Sequence, residues 1–278
     1  ADGKLHRFRG NAFFQKNGLN IVLRHIPPQV PSLESLKLPP VVEQLTRAKH
    51  GLVLVTGPAG CGKTSTLAAM IDMLNKREPI HLITIEQPIE YIHTSRQALV
   101  NQRAVGIHVE SFALALRGAL REDPDVIMIG ELRDLETISL AIIAAETGHL
   151  VFSTMHTRNA ITTINRIINS FPHDKQAQIR ATLAESLNGI ISQQLIPKAS
   201  GDGMVLATEI MLKTVPIAHL IRENRIFQIP TVIQTAKIQG MHLIEYSLAE
   251  LVKRGEITED EARVRATDPK TLNECLKE

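Results

Sequence analysis

Leu52-Val53-Leu54-Val55-Thr56-Gly57-Pro58-Ala59-Gly60-Cys61-Gly62-Lys63-Thr64-Ser65 decides the fold of this chain. Leu52–Val55 is a short apolar run of the length of a buried strand. Gly57–Thr64 fits G-x-x-x-x-G-K-[ST], and Thr64–Asn75 continues as a helix with Leu67, Met70, Ile71 and Leu74 on one face. Strand, glycine-rich turn and helix are the context a phosphate loop needs. Glycines let the backbone curl so that successive N–H groups face phosphate oxygens, and the helix N-terminus adds partial positive charge. The reading places a nucleotide on Gly57, Pro58, Ala59, Gly60, Cys61, Gly62, Lys63, Thr64 and Ser65. Lys63 can reach the β- and γ-phosphates, and the Thr64 hydroxyl can ligate Mg²⁺. Cys61 fills a variable position. The helix N-terminus could lower its thiol pKa, but phosphoryl transfer needs no thiol.

Outward from the loop, strands and helices alternate. Strands are expected at His81–Ile85, Val126–Ile129 and Leu150–Thr154, with helices at Phe112–Arg121 and Leu135–Thr147. That order implies an α/β fold with a mainly parallel sheet covered on both faces. Beyond residue 160 the pattern turns helical: Ala160–Ile168, then Lys175–Gln194, with a strand at Met204–Met211 and short helices at Ile217–Glu223 and Thr231–Lys237. Leu248, Leu251 and Val252 form an apolar helix face, read as core packing, and Thr258-Glu259-Asp260-Glu261 has capping-box spacing. Upstream, residues 1–26 read as a strand hairpin turning at Asn17-Gly18. Residues 27–40 carry five prolines and read as a linker with a short helix start over Ser32–Leu38. Residues 41–278 form the third unit.

Hydrolysis needs a group that activates water and help in holding the metal. Glu131 follows the strand Val126–Ile129, which is expected beside the phosphate-loop strand, with Gly130 where a Walker B strand usually has Asp. Glu86 ends the strand before it. Either acid can be the base or support the metal. His156 stands at the carboxyl end of Leu150–Thr154, where ligands bind in such sheets, and His149 at the other flank. Arginines often sense the γ-phosphate from a neighbouring subunit. The candidates are Arg7, Arg9 and Arg24 on the hairpin and Arg103 and Arg117 in the body; Arg121 and Arg133 also crowd the Glu131 strand.

The bulk composition narrows the class. The chain has 278 residues, 44% hydrophobic and 22% charged, with net charge +2, which fits a globular protein and argues against a nucleic-acid coat. It has no Trp, two Tyr and seven Phe, too few aromatics for base-stacking platforms, so no nucleic-acid partner is expected. Two cysteines support neither a disulfide framework nor a Cys-rich zinc site, and suit a reducing compartment. With no signal peptide and no long apolar run, a soluble cytoplasmic protein is expected.

Four ordered stretches carry a family resemblance: GPAGCGKTSTLAAMID, ITIEQPIEYIH, ALREDPDVIMIGELRDLETISLA and AAETGHLVFSTMHT. They resemble the Walker A, Asp-box, atypical Walker B and His-box segments of the secretion and pilus ATPase superfamily, and most of all the type IV pilus retraction ATPases of twitching motility. RFRGNAFFQKNG…VLRHIP resembles the tail of that family's PAS-like N-terminal domain, so the chain is expected to begin inside that domain, with residues 1–26 as its remnant. The resemblance implies a RecA-like P-loop core with a helical C-terminal part. It implies ATP and Mg²⁺ as cofactors and a homohexameric ring whose sites lie between N-terminal and RecA-like domains. The implied partners are the inner-membrane platform protein of the pilus and another retraction ATPase; the implied location is the cytoplasmic face of the pilus base. Two departures stand out. Gln87 replaces the Asp of the family's I-E-D-P-I-E, and Ala218 replaces the first Arg of its Ala-Ile-Arg-Asn-Leu-Ile-Arg-Glu stretch. The first leaves room for a nucleotide-gated binding protein with little turnover, the second for an accessory retraction ATPase. The absence of a four-cysteine zinc insert disfavours an assembly ATPase of pili or type II secretion.

Overall fold

The computed structural model describes residues 6–277, so residues 1–5 of the expected N-terminal hairpin unit and residue 278 lie outside it. Strands β1 (Arg7–Gln15) and β2 (Gly18–Ile26) pair antiparallel with Gln15 opposite Gly18. The turn is therefore centred on Lys16-Asn17, one residue before the expected place. Gly18, at φ +109°, supplies the backbone conformation that lets the return strand start. Ser32–Leu38 is a set of turns rather than a helix start. Ser32 and Ser35 bond each other's backbone N–H, and Lys37 at φ +55° ends the run. Buried Leu33 and Leu38 pin this segment to the body.

The body runs α1 (Val41–Leu45), β3 (Gly51–Thr56), α2 (Lys63–Arg77), β4 (His81–Glu86), β5 (Leu99–Ala104), α3 (Phe112–Ala119), β6 (Val126–Ile129), α4 (Leu135–Glu146), β7 (Leu150–Met155), α5 (Ala160–Asn169) and α6 (Gln176–Ser186). It continues with β8 (Leu187–Pro197), β9 (Met204–Leu212), α7 (Val215–Arg222), α8 (Ile229–Thr235), α9 (Ile244–Lys253), α10 (Glu259–Arg265) and α11 (Pro269–Lys277). One seven-stranded sheet has the order β5-β4-β6-β7-β3-β8-β9, all parallel except β9. Every residue of β3 and β7 is buried, as a parallel sheet sandwiched between helices requires. One core layer packs α3, α4 and α5 on one face, and a second packs α1 and α2 on the other. A third cluster seals the far ends of β8 and β9 with α9–α11. Leu248, Leu251 and Ile257 are buried in it, and Val252 packs on its edge.

Three expectations need correction. The helix expected over Lys175–Gln194 ends at Ser186, and Leu187 onward is strand β8 beside β3. Gln176–Ser186 is rich in helix formers, whereas the following Gly189-Ile190-Ile191 favours extended chain. A Cβ at Gly189 would stand 2.8 Å from the Leu45 side chain, so the close approach of α1 to β8 depends on that glycine. Strand β5 was not anticipated, because Asn101-Gln102-Arg103 is polar; it is tolerated at a sheet edge with one neighbour. Finally, β6 does not lie beside β3, since β7 comes between them. At the chain's end, the Thr258 hydroxyl accepts the Glu261 N–H and caps α10.

Candidate nucleotide-hydrolysis site

The carboxyl ends of β3, β4, β6 and β7 open into a cleft of 460 Å³. Ala59, Gly60, Gly62, Lys63, Thr64 and Ser65 form one wall, and Glu86, Glu131 and His156 form the other. Gly62, at φ +92°, caps α2 without a side-chain bond, so the first N–H groups of the helix are left to face an anion. Gly57 sits at φ +140°, and a Cβ there would fall 2.3 Å from the Gln193 carbonyl oxygen; only glycine fits. The loop is thus braced against β8 from behind. The Thr66 hydroxyl and the Gln193 amide tie α2 to the same strand.

A continuous polar chain crosses the cleft. Lys63 Nζ donates to the carbonyl oxygens of Gly57 and Pro58 at 2.9 Å each, and lies 3.3 Å from His156 Nδ1. His156 Nε2 is 3.1 Å from Glu131 Oε1, and Arg133 Nη2 is 2.8 Å from Glu131 Oε2. The Lys63 ammonium can only donate, so the network assigns Nδ1 as acceptor and Nε2–H as donor to Glu131. Burial lowers the Lys63 pKa. Partial burial of Glu131 works against its ionisation. Arg133 and His156 together outweigh that and hold its carboxyl below the usual range.

Glu86 has a different setting. It is buried at the end of β4, and Oε1 accepts from Thr84 Oγ1 at 2.7 Å and Gln102 Nε2 at 3.1 Å. These neutral donors stabilise the charge less than burial opposes it, so its pKa is raised. Gly130 explains the missing Walker B acid. A Cβ there would already stand 3.3 Å from the Ile85 carbonyl and 3.5 Å from Glu86 Cα, so a larger side chain would press on the strand end that carries Glu86.

The other sequence candidates divide. Arg9 and Arg24 line the cleft from the hairpin. Arg7 instead grips the loop after Glu86, donating to the carbonyls of Glu90 at 2.6 Å and Ile89 at 3.1 Å. Arg103 pairs with Glu122 and Arg117 with Glu136, both outside the cleft lining. His149 lies at the amino end of β7, away from the cleft, with Nδ1 3.0 Å from the Ala144 carbonyl. Cys61 is buried, and that burial pushes its thiol pKa up, opposite to the expected effect of the helix N-terminus. The Thr64 hydroxyl and the Glu131 carboxylate border the same space. Among the described residues no cluster of three His, Cys, Asp or Glu side chains could hold a metal by itself. A hard divalent cation shared with substrate phosphates needs no such cluster. Sequence reasoning passed over Tyr91, whose phenol is 2.9 Å from Ser65 Oγ, and Gln102. The spacing Glu131-x-Arg133 was a usable signal for the arginine, but nothing local marked Gln102.

A family model described as "Type II/IV secretion system protein" matches residues 2–273. The chain belongs to that family. Relatives within it include a twitching motility protein of Neisseria gonorrhoeae, 48% identical over 96% of this chain and 71% of its own length. Another is the "Type IV pilus retractation ATPase PilT" of Pseudomonas aeruginosa, 49% identical over 96% of this chain and 77% of its own. The crystal structure of a pilus retraction motor PilT with bound ADP superposes with a TM-score of 0.91 at 47% identity. It covers 99% of this chain and 78% of that one. The mainly parallel sheet with flanking helices is the RecA-like arrangement of this family. Among the described residues no helix is long and apolar enough to cross a membrane.

Proposed function

We infer that this chain hydrolyses ATP to drive retraction of a type IV pilus. The observation that carries the reading is the convergence of a phosphate loop, two carboxylates and His156 on one cleft. The family membership, with retraction-type relatives matching along 96% of the chain, supplies the biological direction. Type II secretion relatives match shorter stretches, such as 38% identity over 65% of the chain, which favours retraction over assembly.

Phosphates enter at Gly57–Thr64 and draw Lys63 away from the Gly57 and Pro58 carbonyls. Thr64, with Glu131 acting through water, would hold Mg²⁺. A cation held there would supply charge to offset that developing on the phosphoryl oxygens. Glu131 is kept ionised by Arg133 and serves that electrostatic role. Glu86 has the raised pKa of a proton acceptor and orients the attacking water as general base. His156 bridges Lys63 and Glu131, so it registers whether Lys63 has moved to the γ-phosphate.

Residues 1–26 belong to a PAS-like N-terminal domain, 27–40 are its linker and 41–278 form the ATPase domain. Arg9 and Arg24 are the phosphate-sensing candidates, and Arg7 holds the acidic loop that faces them. Six chains close into a ring, which docks peripherally on the platform protein at the cytoplasmic face of the inner membrane. An accessory retraction ATPase remains the second reading. It is favoured by Ala218 and by 42% identity to a "Type IV pilus ATPase PilU" over 98% of the chain.

Steady-state Mg²⁺-ATP hydrolysis against protein concentration, with Lys63→Ala alongside, tests the reading. Turnover that rises steeply with concentration and vanishes in Lys63→Ala is expected. Tight ATP binding with no turnover at any concentration would favour a nucleotide-gated binding protein instead.

A further inference from the structure

The loop Gln87–His93 leaves β4 directly after Glu86; Arg7 grips it from the hairpin at Ile89 and Glu90, and Gln102 holds it from the sheet. Gln102 lies on β5, directly across the strand pair from Thr84. Its Nε2 donates to Glu86 Oε1 at 3.1 Å and to the Tyr91 carbonyl at 2.9 Å. Its Oε1 accepts the His93 N–H at 2.8 Å. Thr84 donates to the same Glu86 oxygen, and Tyr91 reaches on to Ser65 beside the phosphate loop. The amide can be oriented only one way, because reversing it would set Oε1 against a carboxylate and a carbonyl.

We propose that Gln102 is a positioning residue for ATP hydrolysis: it aims the Glu86 carboxylate and clasps the Glu86–His93 loop, which Tyr91 and Ser65 join to the phosphate-binding helix. The proposal rests on Glu86 being the general base. An amide is the one uncharged head that offers two donors and an acceptor to this set of partners. A carboxylate at position 102 would meet two acceptors with a third. An apolar side chain would leave the His93 N–H and the buried Glu86 oxygen each short of a partner.

The test compares Gln102→Met, which keeps side-chain length, and Gln102→Glu, which keeps shape, in the full chain. Each is measured for melting temperature, affinity for a fluorescent ATP analogue, and kcat, with and without Glu86→Gln. Gln102→Met is expected to keep nucleotide affinity within about twofold and to lower kcat about tenfold or more, since small misalignments of a catalytic group are costly. Gln102→Glu is expected to lower kcat further, and it carries the test if Gln102→Met fails to fold. On the Glu86→Gln background neither change should lower the residual rate again, a non-additivity that a merely structural role would not produce. Wild-type kcat in both Gln102 variants beside an inactive Glu86→Gln would overturn the clasp alone. So would an effect that multiplies undiminished on Glu86→Gln. Normal turnover in Glu86→Gln would overturn the reading of the base, and the clasp with it.

Discussion

Glu86 and Glu131 are the same residue type at the ends of two adjacent strands, and their surroundings drive them apart. Glu131 is reachable by solvent and held between Arg133 and His156, which keeps it ionised. Glu86 is buried, and its side-chain donors Thr84 and Gln102 are uncharged, so its proton affinity rises. A pair of carboxylates whose environments separate their pKa values is a pair with separate tasks. In the function proposed above, the cation-paired acid supports charge and the desolvated acid takes a proton from water.

The sharpest way to break that comparison is Glu86→Gln. Loss of a general base should lower kcat by about 10²–10⁴ while nucleotide affinity holds. A third acid, Glu209, sharpens the comparison away from the cleft. It is buried, accepts the Ala160 N–H at 2.7 Å, and burial raises its pKa to about 7. Its unfolded value is about 4.3, so between those values the folded state holds a proton that the unfolded state has lost. Stability therefore falls as pH rises from about 4 to about 7, and the loss is complete above that. Glu209→Gln should remove the slope and stabilise the protein at pH 8 by about 2–4 kcal/mol, read by denaturant titration at pH 5 and pH 8. The smallest effect belongs to Arg133→Ala. Its guanidinium is largely exposed, so removing it from Glu131 should weaken Mg²⁺-ATP binding by about fivefold at most, measured by titration.

Local signals made the phosphate loop and its strand–helix context readable, because Gly57–Thr64 specifies backbone shape and chemistry together. Glu86, Glu131 and His156 were readable as strand-end residues, since the carboxyl edge of a parallel sheet collects ligands. The rest depended on contacts distant in sequence. β8 reads as a continuation of α6 until β3 is available to pair with Ile190 and Ile191. β5 is polar, and only its pairing with β4 makes Gln102 a neighbour of Glu86. The arginines look alike in sequence. Acidic partners engage Arg103 and Arg117 outside the cleft, whereas the hairpin brings Arg9 and Arg24 into it. His149 and His156 occupy opposite ends of β7, and the end that carries His156 faces the cleft.

Single-turnover hydrolysis by Glu86→Gln and Glu131→Gln, each saturated with Mg²⁺-ATP, tests the division of labour most directly. The account predicts that Glu86→Gln binds ATP like the wild type and cleaves it about a hundredfold or more slowly, whereas Glu131→Gln binds Mg²⁺-ATP more weakly and cleaves what it holds faster than Glu86→Gln does. Cleavage at the wild-type rate in Glu86→Gln would contradict it.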